Sequence, residues 1–318
     1  MPPGAPLPTL APTAVALRPF TPTPPPPTPS PAPTLPTSTP PATSTATPTA
    51  TTTPTGTPPV SPTPTADPAR AINGIPFETL AVMPPETAEP VRQIAARGLE
   101  LGRNPRAFSK LGDSGVLVES NLTRFDNGPV TLGPYAFLQP AVDYYAGSWK
   151  RYGAGARLSL TAIGVFDPMW ANPDHCATGE HMLACEIRLH NPGVLLIRLG
   201  TNDGSAERYE RTMRRIIDYC LEQGIIPVLG TKADRFEGDD SINEATRRLA
   251  ADYHVPLWDF DALAATLPNR GLTDDQAHLT IHGRNDYTDP ETFEHGYPMS
   301  DLSALVVMDE IRRVTSDE

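Results

Sequence analysis

The sequence predicts an α/β fold, in which a central parallel sheet lies between two layers of helices and follows a long unfolded segment. Three observations lead to this prediction. Of the 40 prolines, 24 precede residue 71. After that point, short apolar segments alternate with amphipathic segments of helical period, and polar residues follow several of the apolar segments. Regular strand and helix alternation implies parallel strands joined by right-handed crossovers, which is a three-layer α/β/α sandwich.

The N-terminal segment, residues 1–72, interleaves proline with threonine, serine and alanine. Up to residue 70 its only charged residues are Arg18, Asp67 and Arg70. Such a composition buries too little apolar surface to offset the entropy of ordering. We therefore expect a disordered, polyproline-like stalk or linker over residues 1–72, and one folded domain over residues 73–318.

The charge balance excludes several kinds of partner. The whole chain carries a net charge of −12; residues 1–70 contribute +1 (two Arg, one Asp), so the rest carries −13. An acidic domain without a cluster of lysine and arginine argues against nucleic acid and anionic membranes. No apolar run reaches the roughly 18 residues that a membrane span needs. The oligomeric state does not follow from the sequence.

The stalk also bears on localisation. The N-terminus lacks the basic and then apolar pattern of a signal sequence. A Pro/Thr stalk is nevertheless typical of domains held away from a cell surface. We expect an extracellular or cell-surface protein, with an export signal upstream of this start.

The folded part divides into elements by hydrophobic period and by turn residues. Nearly continuous apolar runs predict strands buried on both faces, and amphipathic runs that stop at glycine predict helices. The predicted strands cover residues 107–111, 157–164, 194–197, 225–229 and 255–258. The predicted helices cover residues 86–101, 206–223, 241–253, 260–267 and 299–314.

The three cysteines have different interpretations. Cys220 falls on the apolar face of the helix over 206–223 and is expected to be inert core. Cys176 and Cys185 bracket the sequence CATGEHMLAC. Their spacing matches no common structural zinc motif, and a disulfide suits an exported protein better than free thiols. We favour the disulfide, then free thiols, with metal the weakest of the three.

Five aromatic residues concentrate around one predicted helix. They could floor a sugar-binding cleft, but such a stripe is more often hydrophobic core, and we favour core. The residues are Tyr135, Phe137, Tyr144, Tyr145 and Trp149.

Ser114 is the first candidate for chemistry. The segment AFSKLGDSG reads as a buried strand that ends in a turn, which Gly112 and Gly115 permit. A serine where a strand gives way to a helix exposes its hydroxyl at the sheet edge and can direct its NH at an oxyanion. Gly-Asp-Ser also occurs in ordinary turns, so further support is needed.

Further support comes from residues that follow other predicted strands and helices. Asp275 and His278 are three residues apart, so the carboxylate can accept a bond from one ring nitrogen and leave the other free as a base. Asp274 is an adjacent alternative for that carboxylate. Asn202 follows a buried strand and can donate to an oxyanion, or cap the next helix instead. Gly164 can add a backbone NH, although Gly147, Gly153 and Gly155 compete with it.

In this order, the blocks KLGDSG, Gly164, LGTND and DQAH resemble the SGNH hydrolases, also called GDSL-type esterases, over about residues 105 to 315. The resemblance implies a flavodoxin-like α/β/α catalytic domain without a lid. Ser114 would be the nucleophile, His278 the general base and then acid, and Asp275 its orienting carboxylate. The oxyanion hole would comprise the NH groups of Ser114 and Gly164 and the side chain of Asn202. Gly115 departs from the usual leucine or isoleucine after the serine.

The function that this resemblance implies is ester hydrolysis through an acyl-enzyme, with no cofactor and no metal. Together with the stalk, it suggests acyl groups, such as acetyl, on extracellular carbohydrate or another small ester. Two alternatives stay open at this point. One is acyl transfer at the same site, and the other is an inactive stalked carbohydrate-binding or adhesion domain.

Overall fold

The computed structural model describes residues 70–316. Most of the predicted stalk therefore lies outside the described residues. Ala71–Ile72, which the sequence assigned to the stalk, pair antiparallel with Ile75–Pro76, and the side chain of Ile72 is fully buried. These two residues thus belong to the folded domain. Among the described residues, no helix combines the length and apolarity that a membrane crossing requires.

A five-stranded sheet forms the centre of the domain, as predicted. Four strands are parallel, and a two-residue strand that the sequence did not predict adds an antiparallel edge. The order across the sheet is β3-β7-β6-β5-β4. The strands are β1 (Ala71–Ile72), β2 (Ile75–Pro76), β3 (Ala81–Val82), β4 (Asn104–Gly112), β5 (Pro192–Arg198), β6 (Ile226–Gly230) and β7 (Leu257–Trp258); β1 and β2 form a separate hairpin.

Side chains of β5 alternate between two hydrophobic cores, one on each face of the sheet. Val194 and Leu196 belong to one core, whereas Leu195 and Ile197 belong to the other. This alternation follows from the two-residue period of a strand, and it requires helices on both faces. The predicted three-layer α/β/α architecture is therefore confirmed.

The helices form the two outer layers. The helices α2 and α9 pack against each other and contribute to the first core, while α6 and α7 pack together over the second. The bounds are α1 (Phe77–Leu80), α2 (Pro85–Glu100), α3 (Ser114–Leu117), α4 (Gln139–Tyr144), α5 (Met182–His190), α6 (Ala206–Glu222), α7 (Ser241–Tyr253), α8 (Phe260–Ala264) and α9 (Gly296–Thr315).

The predicted strand over residues 157–164 is wrong. The segment makes a turn, in which the Leu160 NH donates to the Arg157 carbonyl, and then a 3₁₀ helix over Ala162–Phe166. Ser159 takes φ of 57°, a left-handed conformation that no strand can include. Only an isolated bridge between Gly112 and Ala156 continues the sheet here. The two leucines of the segment differ in environment, since Leu160 is buried and Leu158 is exposed.

The aromatic cluster is mainly core, as favoured from the sequence. Tyr135, Tyr145 and Trp149 are buried, and Phe108 of β4 contacts the Trp149 ring edge to face at 4.8 Å between centroids. Phe137 is the exception, with 42% of its surface exposed.

The cysteines separate into a buried thiol and a disulfide. Cys220 is fully buried in α6, and burial raises the pKa of its thiol to about 12. A disulfide joins Cys176 and Cys185. The nearby Glu180 carboxylate accepts bonds from Arg188 and from the Ala177 NH. Both sulfurs are thus used by a covalent bond.

Gly112 ends β4 at a point of very close packing. A Cβ built on Gly112 would lie 2.3 Å from Cγ2 of Val116 and 2.6 Å from the carbonyl oxygen of Arg198. The strand can turn into α3 beside β5 only because residue 112 has no side chain. Gly204, by contrast, has open space around its Cβ position.

We predict that Gly112→Ala lowers the free energy of unfolding by about 1–3 kcal/mol, because the added methyl group overpacks the turn. Gly204→Ala serves as the matched control and should be neutral or slightly stabilising. Urea unfolding of the two variants measures the difference. Equal stability of the two variants would show that the turn at residue 112 relaxes at no cost.

Candidate active site

Segments from three parts of the chain meet at the carboxyl edge of the parallel strands. Ser114 follows β4, Asn202 follows β5, and Asp275 and His278 lie on the loop after α8. Ligand sites of open parallel sheets lie at this edge. The candidate residues are therefore close in space although they are far apart in sequence.

The turn that carries Ser114 is held by the residue before it. The side chain of Asp113 accepts a bond from the Gly115 NH at 3.0 Å, and α3 begins at Ser114. Burial raises the pKa of Asp113 above its ordinary value. Among the described residues, the backbone NH of Ser114 has no hydrogen-bond acceptor. That NH is free to donate to a ligand, as expected at the first turn of a helix.

Ser114, His278 and Asp275 form a continuous series of hydrogen bonds. Oγ of Ser114 lies 3.0 Å from Nε2 of His278, and Nδ1 of His278 lies 2.6 Å from Oδ2 of Asp275. An ionised carboxylate only accepts, so Nδ1 carries the proton and Nε2 of the neutral ring accepts from the serine hydroxyl. This is the arrangement in which an imidazole serves as a base toward a hydroxyl.

Asp275 is fixed by several donors. Its Oδ1 accepts bonds from the NH groups of Ala277 and His278, both at 2.9 Å, and from the Thr273 hydroxyl at 2.7 Å. These bonds, with that from the His278 backbone the largest cause, hold the pKa of Asp275 well below its ordinary value. Asp275 therefore stays ionised and in place beside the ring, and Asp274, the alternative left open by the sequence, is not the partner of His278.

Asn202 lies beside the turn that carries Ser114. Its side-chain amide donates to the carboxylate of Asp113 at 3.3 Å and to the carbonyl of Leu160 at 3.2 Å. Both distances are at the long end for such bonds. The amide is thus held next to Ser114 by contacts that a stronger acceptor could replace.

Gly164 does not offer the donor that the sequence suggested. Its NH already donates to the Thr161 carbonyl at 3.0 Å within the 3₁₀ helix. Its Cα faces Leu160 and Trp170, since a Cβ there would lie 3.1 Å and 3.4 Å from these side chains. The lack of a side chain at Gly164 allows this close packing, and its NH is not free to bind a ligand in the site.

Two residues that sequence reasoning missed stabilise the turn that carries Ser114 by binding its backbone. Nη2 of Arg198 and the hydroxyl of Tyr297 both donate to the Gly115 carbonyl, at 3.2 Å and 3.1 Å. Arg198 also donates to Oγ of Ser300 at 2.7 Å and is buried beside the Trp258 ring. An arginine that ends an otherwise apolar strand, LLIR, was the one available signal.

A small cavity opens beside Ser114. Its volume is about 30 Å³. The lining includes Ser114, Arg198, Ala233, Phe260 and Leu279. Since about 10–15 Å³ of such space holds one water molecule, the cavity has room for a group of about two heavy atoms.

Comparisons with known proteins give only distant similarities. No family model matches the sequence, and no curated protein matches it. The chain is similar in structure to a putative lipolytic protein of the G-D-S-L family from Desulfitobacterium hafniense DCB-2, at 15% identity and a TM-score of 0.39, over 63% of this chain and 98% of that one. It is also similar to a psychrotrophic esterase from Pseudoalteromonas sp., at 12% identity and a TM-score of 0.41, over 64% and 97% of the two chains. A third similar structure is a two-domain esterase active on acetylated mannans, at 13% identity and a TM-score of 0.43, over 76% of this chain and 58% of that one.

Proposed function

We propose that this protein is a serine esterase of the SGNH type, which hydrolyses carboxylic esters through an acyl-enzyme at Ser114. The observation that carries the proposal is the hydrogen-bonded series from the Ser114 hydroxyl through His278 to Asp275, with distances of 3.0 Å and 2.6 Å. A hydroxyl, an imidazole and a fixed carboxylate in that order are the parts that acyl transfer to a serine requires.

In the first half of the proposed reaction, Oγ of Ser114 attacks the ester carbonyl carbon while its proton passes to Nε2 of His278. Asp275 stabilises the imidazolium that forms. The bond from the carbonyl carbon to the alcohol oxygen then breaks, and His278 returns the proton to that oxygen. In the second half, water attacks the acyl-enzyme with His278 as base, and the acid and free Ser114 are released.

The negative charge on the carbonyl oxygen needs donors. We assign this role to the free NH of Ser114 and the side-chain amide of Asn202, which would exchange its long bonds for a bond to the oxyanion. Each such donor is typically worth about 2.7–4 kcal/mol in the transition state. Gly164 is left out of the assignment because its NH is occupied.

The substrate class follows from the walls around Ser114. The adjoining cavity of about 30 Å³ suits a two-carbon acyl group such as acetyl. A separate, larger concavity of about 950 Å³ is lined by Leu117, three residues after Ser114, and by Tyr152, Asn172 and Trp170 among others. Aromatic faces with neighbouring polar groups suit a sugar. Acetate release from an acetylated oligosaccharide, absent for Ser114→Ala, checks this assignment.

The disulfide and the Pro/Thr-rich segment support an extracellular or cell-surface site of action. Disulfides persist in oxidising compartments, and the Cys176–Cys185 bond is such a crosslink. We extend the proposal to esters found outside the cell. Mass spectrometry of the native protein, without reductant, tests it, since free thiols at both positions would remove this support.

We predict that Ser114→Ala lowers the rate of p-nitrophenyl acetate hydrolysis by at least about 1,000-fold. A fluorophosphonate probe should label the wild-type serine and leave Ser114→Ala and His278→Ala unlabelled, because only an activated hydroxyl reacts. Ser316→Ala, at the end of α9, is the control and should keep both properties. Turnover by Ser114→Ala at the wild-type rate would overturn the proposal, and failure of the wild type to react with the probe would instead indicate a binding domain.

We predict that Asn202→Ala lowers kcat by about 100-fold to 1,000-fold with little change in KM, because the amide donates mainly in the transition state. Steady-state kinetics with p-nitrophenyl acetate measure the two parameters. Asn127→Ala removes an exposed amide of the same size and should be unaffected. A rise in KM alone would assign Asn202 to substrate binding and not to the oxyanion.

We predict that kcat/KM falls by at least about tenfold from p-nitrophenyl acetate to p-nitrophenyl octanoate, since the cavity beside Ser114 holds only about two heavy atoms. The longer chain would have to stay in water and lose the burial that favours lipase substrates. The leaving group is the same in both esters, so the comparison isolates the acyl chain. Preference for the octanoate would contradict the assignment to acetyl esters.

A further inference from the structure

The long loop between the His278 segment and α9 contains a cluster of side chains that can bind a metal ion. It is formed by His282, Glu291 and His295. One ring nitrogen of each histidine and one carboxylate oxygen of Glu291 lie within 4.8 Å of one another. The two imidazole rings are stacked, with 4.8 Å between their centroids and 20° between their planes. The cluster is separate from the Ser114 site and takes no part in the proposed reaction.

Two nitrogens in this cluster are buried without a hydrogen-bond partner among the described residues. They are Nε2 of His282 and Nδ1 of His295. The side chain of His282 is only 10% exposed. A buried polar atom without a partner costs about 1–3 kcal/mol, so native proteins rarely leave one unsatisfied. Two in one cluster indicate that a ligand from solution completes it.

The charges around the cluster favour a cation. Glu291 is an exposed carboxylate, and Oδ2 of Asp289 lies 3.8 Å from Nε2 of His282. The Asp289 carboxylate is also paired with Arg284 at 2.6 Å. Two imidazoles and one or two carboxylates form a donor set that suits a divalent ion of the zinc type better than Ca²⁺ or Mg²⁺, which prefer oxygen ligands.

The spacing of the cluster is compatible with such an ion. Ligand atoms at about 2.1 Å from a tetrahedral ion lie about 3.4 Å apart. The present separations, of up to 4.8 Å, would have to close by at most about 1.4 Å. Glu291 is exposed and can make that adjustment by side-chain rotation.

We propose that His282, Glu291 and His295 bind one Zn²⁺ ion, and that this ion closes the base of the loop between the catalytic histidine and α9. Two hydrogen bonds already join the two ends of this loop. The Gly296 NH donates to Oγ1 of Thr280 at 2.8 Å, and the Tyr297 NH donates to the Thr280 carbonyl at 3.0 Å. Thr280 lies two residues after His278, so the ion would lock the segment that carries the imidazole.

The test is zinc binding to the whole chain after treatment with a chelator. Competition with a chromogenic zinc indicator, and metal content after dialysis, should give one Zn²⁺ per chain for the wild type. His282→Ala/His295→Ala should lose this ion, and Glu291→Gln should bind at least tenfold more weakly. Glu294→Gln, an exposed acid of the 3₁₀ helix Pro290–Glu294 that also contains Glu291, and His278→Ala, in the other site, are matched controls that should keep it.

The melting temperature is a second readout, which tests the proposal even if the double histidine variant folds poorly. At the same zinc concentration, the ion should raise the melting temperature of the wild type and of Glu294→Gln more than that of Glu291→Gln, whose exposed side chain can be changed without loss of packing. Unchanged affinity in both Glu291→Gln and the double histidine variant would overturn the proposal. So would loss of the ion in His278→Ala, or the lack of a bound ion in the wild type. None of these outcomes bears on Ser114, whose activity is measured separately.

Discussion

The start of α9 is the structural element on which the geometry of the candidate site depends. The Tyr297 hydroxyl reaches the carbonyl of Gly115, next to Ser114, while the Tyr297 NH reaches the carbonyl of Thr280, near His278. One residue therefore contacts both segments that must meet. Arg198 adds a tie between Gly115 and Ser300 in the same helix. Because α9 is buried over most of its length, the two segments that make the 3.0 Å contact between serine and imidazole are both anchored to the core.

The same helix also stabilises a strained segment after α3. Leu122 takes φ of 64°, which is unfavourable for a residue with a bulky side chain. Asp301 of α9 accepts the Leu122 NH at 2.8 Å and pairs with Arg124 at 2.7 Å, all within the core. A buried pair of this kind adds less to stability than its short distance suggests, but loss of one partner leaves a costly unpaired charge. We therefore infer that the pair of Asp301 and Arg124 serves mainly to fix the direction of the chain after α3.

The sequence predicted those features whose signals are local. Long apolar runs gave β5 and β6, glycine marked the ends of helices, and the three-residue spacing of Asp275 and His278 gave their contact. Features that depend on distant partners were missed or wrong. Gly115 meets Arg198 and Tyr297 across 83 and 182 residues of sequence, and β3 is too short to show a period. The strand predicted over 157–164 was wrong because nothing in the segment RLSLTAIG reveals that Ser159 turns the chain.

The exposure of the imidazole bears on what can reach the acyl-enzyme. The side chains of His278 and Asp275 are 44% and 51% exposed, so the face of the ring is open to bulk solvent. Water at its full concentration would then compete with any sugar hydroxyl for the acyl group. In the proposed mechanism, an open rim of this kind would favour hydrolysis over acyl transfer, and it would also admit esters carried on chains far larger than the cavity itself. Selectivity would thus reside in the small acyl group, while the bulk of the carrier is left outside.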